Sequence, residues 1–91
     1  MNINEKIKKL LLELANVLEI LNTRHTQEID KNDKETLREL IEIHIGYVVF
    51  LKELEQELVI NAEKKFTKEF LVKQFSNIHK SCQMVRDEFS A

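Results

Sequence analysis

The chain has 91 residues, one glycine and no proline, and a formal net charge of −2. Its length predicts one domain, residues 1–91, and the scarcity of turn-forming residues excludes an all-β fold. The 14 basic residues against 16 acidic ones are not the basic excess of a general nucleic-acid-binding protein, so we expect no nucleic-acid partner.

The first predicted element is a helix near residues 4–26. Apolar residues recur there at spacings of three and four, which places them on one face of a helix: Ile3, Ile7, Leu10, Leu14, Val17 and Leu21. Leu12 and Ile20 fall outside this stripe, among polar residues. These two side chains are therefore candidate contacts for a partner.

A polar joint, residues 28–35, precedes a second predicted helix near residues 33–60, which Asn32 or Asp33 can cap. Its apolar series is Leu37, Leu40, His44, Tyr47, Leu51, Leu54 and Leu58. The helix is apolar around more than half its circumference, as a middle helix with two neighbours requires. Ile43 and Phe50 lie at one edge of the apolar face, and Val49 and Ile60 at the other.

Gly46 falls on the polar arc of the second helix. Inside a helix, glycine costs roughly 1 kcal/mol relative to alanine. Either another backbone approaches closely at this position, or the helix simply tolerates the glycine.

The third predicted helix lies near residues 67–89, with Thr67 as its cap and Asn61 as the end of the second helix. Its stripe is Leu71, Phe75, Ile78, Cys82, Val85 and Phe89. Phe70 and Met84 point away from this stripe, and we expect Phe66 to cover the end of the core from the connection.

Short joints make neighbouring helices antiparallel, so the predicted fold is all-α, an antiparallel up-down-up three-helix bundle with a long middle helix. The longest apolar stretch, residues 45–51, is far shorter than the roughly 20 residues that span a bilayer. Cys82 is the only cysteine, which excludes an intramolecular disulfide and favours a reduced, cytoplasmic setting.

Few residues could carry chemistry. His44 on the apolar face is either a proton switch or ligand in the interior, or a half-buried structural histidine with one hydrogen-bond partner. Cys82 is expected to be a buried, inert thiol, although its spacing from His79 would also permit a Cys–His pair. No two histidines have helix-ligand spacing and no Glu-x-x-His motif occurs, so we expect no metal and no cofactor.

Charge is unevenly distributed along the chain. Residues 28–42 carry six acidic and three basic residues, whereas residues 63–80 carry two acidic and five basic ones. These segments are either ordinary solvated faces, or the third helix has a basic edge for an acidic protein or a phosphate ligand.

Three functions remain open. The first is a non-enzymatic interaction module, such as a small adaptor, inhibitor, immunity-type or chaperone-like protein, that binds a protein partner through Leu12, Ile20, Ile43, Phe50, Phe70 and Met84. The second is a self-associating structural bundle, a homodimer, because long heptad stripes also suit coiled-coil partners. The third is a small-ligand or enzyme site around His44. No nucleophile, base and orienting group occur together, so we expect no enzyme.

Overall fold

The structure, a computed structural model, describes residues 2–60 and 66–89, and it gives only the backbone of Val59 and Ile60. These residues form three helices and no strand: α1, Ile3–Gln27; α2, Lys31–Ile60; and α3, Lys68–Phe89. The predicted all-α class is confirmed, and each described boundary lies within two residues of its predicted position. The 30 residues of α2 correspond to about 45 Å of helix, in a molecule whose longest extent is 48 Å.

The starts of α1 and α3 are capped by side-chain oxygens. Asn2 Oδ1 accepts the backbone N–H of Glu5 at 2.9 Å, and Thr67 Oγ1 accepts that of Phe70 at 3.1 Å. Each bond satisfies a donor that the first helical turn leaves free. The predicted role of Thr67 is therefore confirmed.

The predicted cap of α2 is wrong. Asp30 caps this helix instead of Asn32 or Asp33, since its Oδ1 accepts the backbone N–H of Asn32 at 2.8 Å and its carbonyl accepts that of Lys34 at 3.0 Å. Because this earlier acidic side chain already supplies the acceptor, the helix starts at Lys31 and the joint shrinks to residues 28–30. The predicted end at Asn61 lies outside the described residues.

Contacts between α1 and α3 show that these two helices run in the same direction. Lys6 Nζ lies 5.7 Å from the centre of the Phe75 ring, and further along both helices Arg86 Nη2 lies 3.8 Å from Glu13 Oε2.

The middle helix runs the other way. His44 on α2 contacts Ser81 on α3, and Phe50, later in α2, contacts Phe70, earlier in α3. The two helices are therefore antiparallel, and the up-down-up order is confirmed.

The core lies along the bundle axis and draws on all three helices. Its buried apolar side chains are Ile7, Leu10, Leu14, Val17, Leu21, Leu37, Leu51, Leu54, Leu71, Phe75, Ile78, Cys82 and Val85. Fully burying one aliphatic or aromatic side chain stabilises the folded state by roughly 1.5–3 kcal/mol. The burial of these side chains therefore holds the three helices together.

All three helices contact one another, and α1 packs most closely against both of the others. The backbone of α1 packs closely against both other helices, whereas α2 and α3 approach each other less closely in the described residues. The wide apolar face of α2 is consequently only partly covered, and several of its side chains remain exposed to solvent. α2 contacts both neighbours, as expected, but its apolar face is wider than these contacts cover.

Within the described ranges, no helix is both long enough and apolar enough to cross a bilayer.

Candidate functional site: the outer face of α2

His44 is the buried polar residue of the core, with no exposed surface. Its Nδ1 lies 2.6 Å from the Leu40 carbonyl oxygen, and its Nε2 lies 3.0 Å from Ser81 Oγ. Because a carbonyl can only accept, Nδ1–H is the donor, and in the tautomer that carries its single proton on Nδ1 the other nitrogen, Nε2, accepts from the Ser81 hydroxyl. Both ring nitrogens are satisfied, so the histidine has two partners rather than one and is fully rather than half buried.

The Ser81–His44 pair resembles the start of a nucleophile–base–orienter arrangement. Such an arrangement needs a group that orients the histidine through its second nitrogen. Here the group that holds the ring through Nδ1 is the Leu40 carbonyl, one turn earlier in the same helix. The Tyr47 ring also packs edge-on against the imidazole, with ring centres 5.6 Å apart. The geometry is that of a hydrogen-bonded link between α2 and α3.

A second polar cluster joins α1 to α3 at the surface. Glu13 Oε2 lies 3.1 Å from His79 Nδ1 and 3.8 Å from Arg86 Nη2. The His79 side chain is largely exposed, and ion pairs of this kind contribute little to stability because solvent screens them.

Cys82 lies on α3, one turn from both His79 and Arg86. Burial and, to a smaller extent, the Glu13 carboxylate raise the pKa of its thiol to about 11, and Arg86 opposes the shift. A thiol that keeps its proton is a poor nucleophile. The burial predicted for Cys82 is confirmed, and no hydrogen bond joins it to His79 in the described residues.

In the described parts of the chain, no three His, Cys, Asp or Glu side chains come together as ligands for a metal ion.

The six predicted partner contacts divide into two groups. Four are exposed: Leu12, Ile43, Phe70 and Met84. The other two, Ile20 and Phe50, are half buried and pack against the core, so they are less available than their positions outside the stripes suggested.

These residues do not form one continuous surface. Leu12 lies on α1, opposite its buried stripe, by the 100° rotation per residue. Phe70 stacks on Phe66 with ring centres 5.4 Å apart, and Phe50 packs edge-on against both rings. Phe66 itself packs against the core, as predicted, so Phe70 belongs to an aromatic cap at this end of the bundle.

A more compact apolar surface lies on the outward side of α2. Ile43, Ile45 and Val49 are 49%, 47% and 50% exposed, and they surround Gly46, which is also exposed. The sequence prediction overlooked Ile45, and it placed Val49 at the edge of the buried face. The sequence does contain a signal for this surface. Ile43 and Ile45 are followed by an unbroken apolar run from Tyr47 to Leu51, and so many neighbouring apolar residues cannot all lie on one buried stripe.

Gly46 has open space where a side chain would start. A Cβ built on this residue meets no other atom within 4 Å, and the backbone has no positive φ there. The fold of one chain therefore does not require glycine at this position.

Acidic residues flank the apolar surface along the helix. Glu39, Glu42, Gly46, Val49 and Glu53 follow at spacings of three and four, so they share one face. All five are exposed. We call this stripe, together with Ile43 and Ile45, the α2 outer face.

Comparison with protein-family models, with curated proteins and with solved structures finds no match for this chain.

Proposed function

We propose that the protein is a non-enzymatic interaction module that binds a protein partner through the α2 outer face. The observation that carries the proposal is the group of half-exposed aliphatic side chains, Ile43, Ile45 and Val49, around the open Gly46. Aliphatic side chains concentrated on one helix face, with charged residues at the margins, have the composition of a protein contact site. Leu12 and Met84, which are also exposed, are secondary contacts in this proposal.

The polar interior supports this proposal over a reaction centre. The ring nitrogens of His44 are both engaged within the fold, and the Cys82 thiol has a raised pKa. In this proposal the histidine and the cysteine hold the scaffold together, and the surface of α2 performs the function.

Affinity purification from the source organism tests the proposal. Tagged wild-type protein is expected to retain a stoichiometric partner, either a different protein or an untagged copy of itself. The Ile45→Gln/Val49→Gln variant removes apolar contact area without changing charge, and it is expected to lose that partner while keeping wild-type circular dichroism and thermal unfolding.

Ile29 provides the matched control. It is 95% exposed and lies in the joint between α1 and α2 rather than on the α2 outer face. Ile29→Gln should retain the partner. Equal retention by Ile45→Gln/Val49→Gln and Ile29→Gln would exclude the α2 outer face as the binding surface.

A further inference from the structure

The outward side of α3 carries charge opposite to that of the α2 outer face. A shallow depression there is lined by Lys68, Glu69, Val72, Lys73, Ser76, Asn77 and Lys80, so three lysines and one glutamate share this surface. Val72 is an exposed aliphatic side chain in the middle of these lysines. We call five of these lining residues, Lys68, Val72, Lys73, Ser76 and Lys80, the α3 basic face.

Among the described residues, no ion pair involves the charged side chains of these two faces. The ion pairs among the described residues involve Glu35 with Arg38, and Glu13 with His79 and Arg86. Glu42 and Glu53 on α2, and Lys68 and Lys80 on α3, therefore remain available for contacts with another molecule.

The two faces also match in spacing when the helices are laid antiparallel. Gly46 placed opposite Ser76 brings Glu42 opposite Lys80, because both pairs of positions are separated by four residues. In the other direction, Val49 comes opposite Lys73, which is next to Val72, and Glu53 comes opposite Glu69, which is next to Lys68. The two smallest residues of the faces then meet at the crossing, where small side chains let helix backbones approach most closely.

The parallel alignment is less favourable. With Gly46 again opposite Ser76, Glu39 would lie opposite Glu69, and Glu42 would lie opposite Val72. Like charges in contact repel, and a carboxylate against an aliphatic side chain loses hydration without gaining a partner. Each alignment places one glutamate of α2 opposite Glu69, but only the antiparallel one brings Glu42 opposite Lys80, and this pair favours the antiparallel orientation.

We propose that the occupant of the α2 outer face is the α3 basic face of a second copy of this chain, with Gly46 of one copy against Ser76 of the other. This inference rests on the proposed function, because it names the partner of the same surface. It commits to self-association in place of capture of a different protein.

The arrangement of the helices within one chain indicates the relative height of two such copies. His44 contacts Ser81, and Phe50 contacts Phe70, so Gly46 and Ser76 lie at about the same height along the bundle. The second copy therefore stands beside the first with little axial shift. Since the contact joins two different faces, the copies form a ring if the rotation between them closes and an open array if it does not.

Charge reversal tests this contact directly. One variant is Glu42→Lys/Glu53→Lys, and the other is Lys68→Glu/Lys80→Glu; all four residues are exposed, so both variants should fold. Light scattering coupled to gel filtration is expected to show association of the wild type at about 500 µM in low salt, a concentration suited to a small, weak interface. High salt should reduce it, because the charges are exposed.

Each variant alone is expected to be monomeric, because its two faces then carry the same charge. An equimolar mixture of the two should associate again, since each reversed face finds a complementary one. A charge control, Glu5→Lys/Glu19→Lys on α1, should associate like the wild type.

A monomeric wild type under these conditions would overturn the proposal, as would a mixture that stays monomeric or reversed variants that associate alone. The outcome is separable from that of the proposed function. If the wild type is monomeric and Ile45→Gln/Val49→Gln still loses a different protein partner, self-association is wrong and the interaction module stands. If the mixture of the two charge-reversed variants associates but Ile45→Gln/Val49→Gln keeps its partner, the charged residues cause the association and the aliphatic side chains of the α2 outer face do not.

Discussion

At the scale of single residues, the buried His44 is the least expected feature of the core. Its place on the apolar face of α2 followed from helical spacing, but its partner Ser81 did not, because the two are 37 residues apart in sequence. The pairing depends on the register between α2 and α3, which side-chain packing sets. The periodicity of apolar residues shows which side chains share a face of one helix, but it does not show which residues of two helices lie opposite each other.

The Ser81–His44 bond makes a prediction about stability. Ser81→Ala removes the donor to Nε2 and leaves a buried acceptor unsatisfied, at a cost of about 1–3 kcal/mol. His44→Leu removes the polar group altogether and keeps a similar volume, so it should change the free energy of unfolding by less than about 1.5 kcal/mol. Urea denaturation measures both. If His44→Leu is much less stable than Ser81→Ala, the imidazole stabilises the fold in other ways than through its hydrogen bond to Ser81.

Cys82 predicts how stability changes at alkaline pH. Its pKa is raised from 9.0 to about 11 in the folded chain, so the unfolded chain releases this proton more readily. The resulting contribution to stability is fully present below pH 9 and is lost as the pH rises towards 11. Other groups titrate in this range, so the readout is a comparison with Cys82→Ala.

The wild type should lose more unfolding free energy than Cys82→Ala between about pH 8 and pH 10.5, measured by urea denaturation under reducing conditions. Equal losses in the two proteins would mean that the thiol is not protected by burial.

At the scale of helices, the three elements could be predicted closely because each has a continuous stripe of apolar residues and polar joints. The start of α2 was misplaced because Asp30, Asn32 and Asp33 are all acceptable caps by residue type, and only the backbone geometry selects Asp30. The part of the apolar circumference of α2 that is buried was also overestimated. The width of an apolar face on a helical wheel shows which side chains could be buried, whereas the neighbouring helices decide which are buried, and here α3 packs less closely against α2 than α1 does.

Gly46 gives the element-scale prediction. Since a Cβ meets nothing within 4 Å, Gly46→Ala should stabilise the isolated bundle by about 0.5–1 kcal/mol through a higher helix propensity and a less flexible unfolded chain. The same change should weaken association, because it adds a methyl group at the proposed helix crossing. Thermal unfolding at low concentration gives the first effect, and light scattering at high concentration gives the second. Destabilisation of the monomer would show that the glycine is needed inside the fold.

At the scale of the whole molecule, the fold was readable from the sequence and the candidate site was only partly so. Leu12, Ile43, Phe70 and Met84 are exposed as expected from their positions outside the stripes. Ile20 and Phe50 were misjudged because the edge of a stripe can still reach the core, and Ile45 was overlooked because it stands within an apolar run. The exposed fraction of a side chain depends on how closely the neighbouring helices approach it, and the apolar pattern of one helix does not show this.

The central claim is that the α2 outer face contacts another protein molecule in the cell. Site-specific photo-crosslinking tests it most directly, with the photoreactive residue placed at Ile45 and, as a control, at the exposed Thr23 on α1. Mass spectrometry of the crosslinked product should identify one predominant protein adduct at position 45, a second copy of this chain if the further inference is right, and none at position 23. Absence of an adduct at position 45, or the same adducts at both positions, would contradict the account.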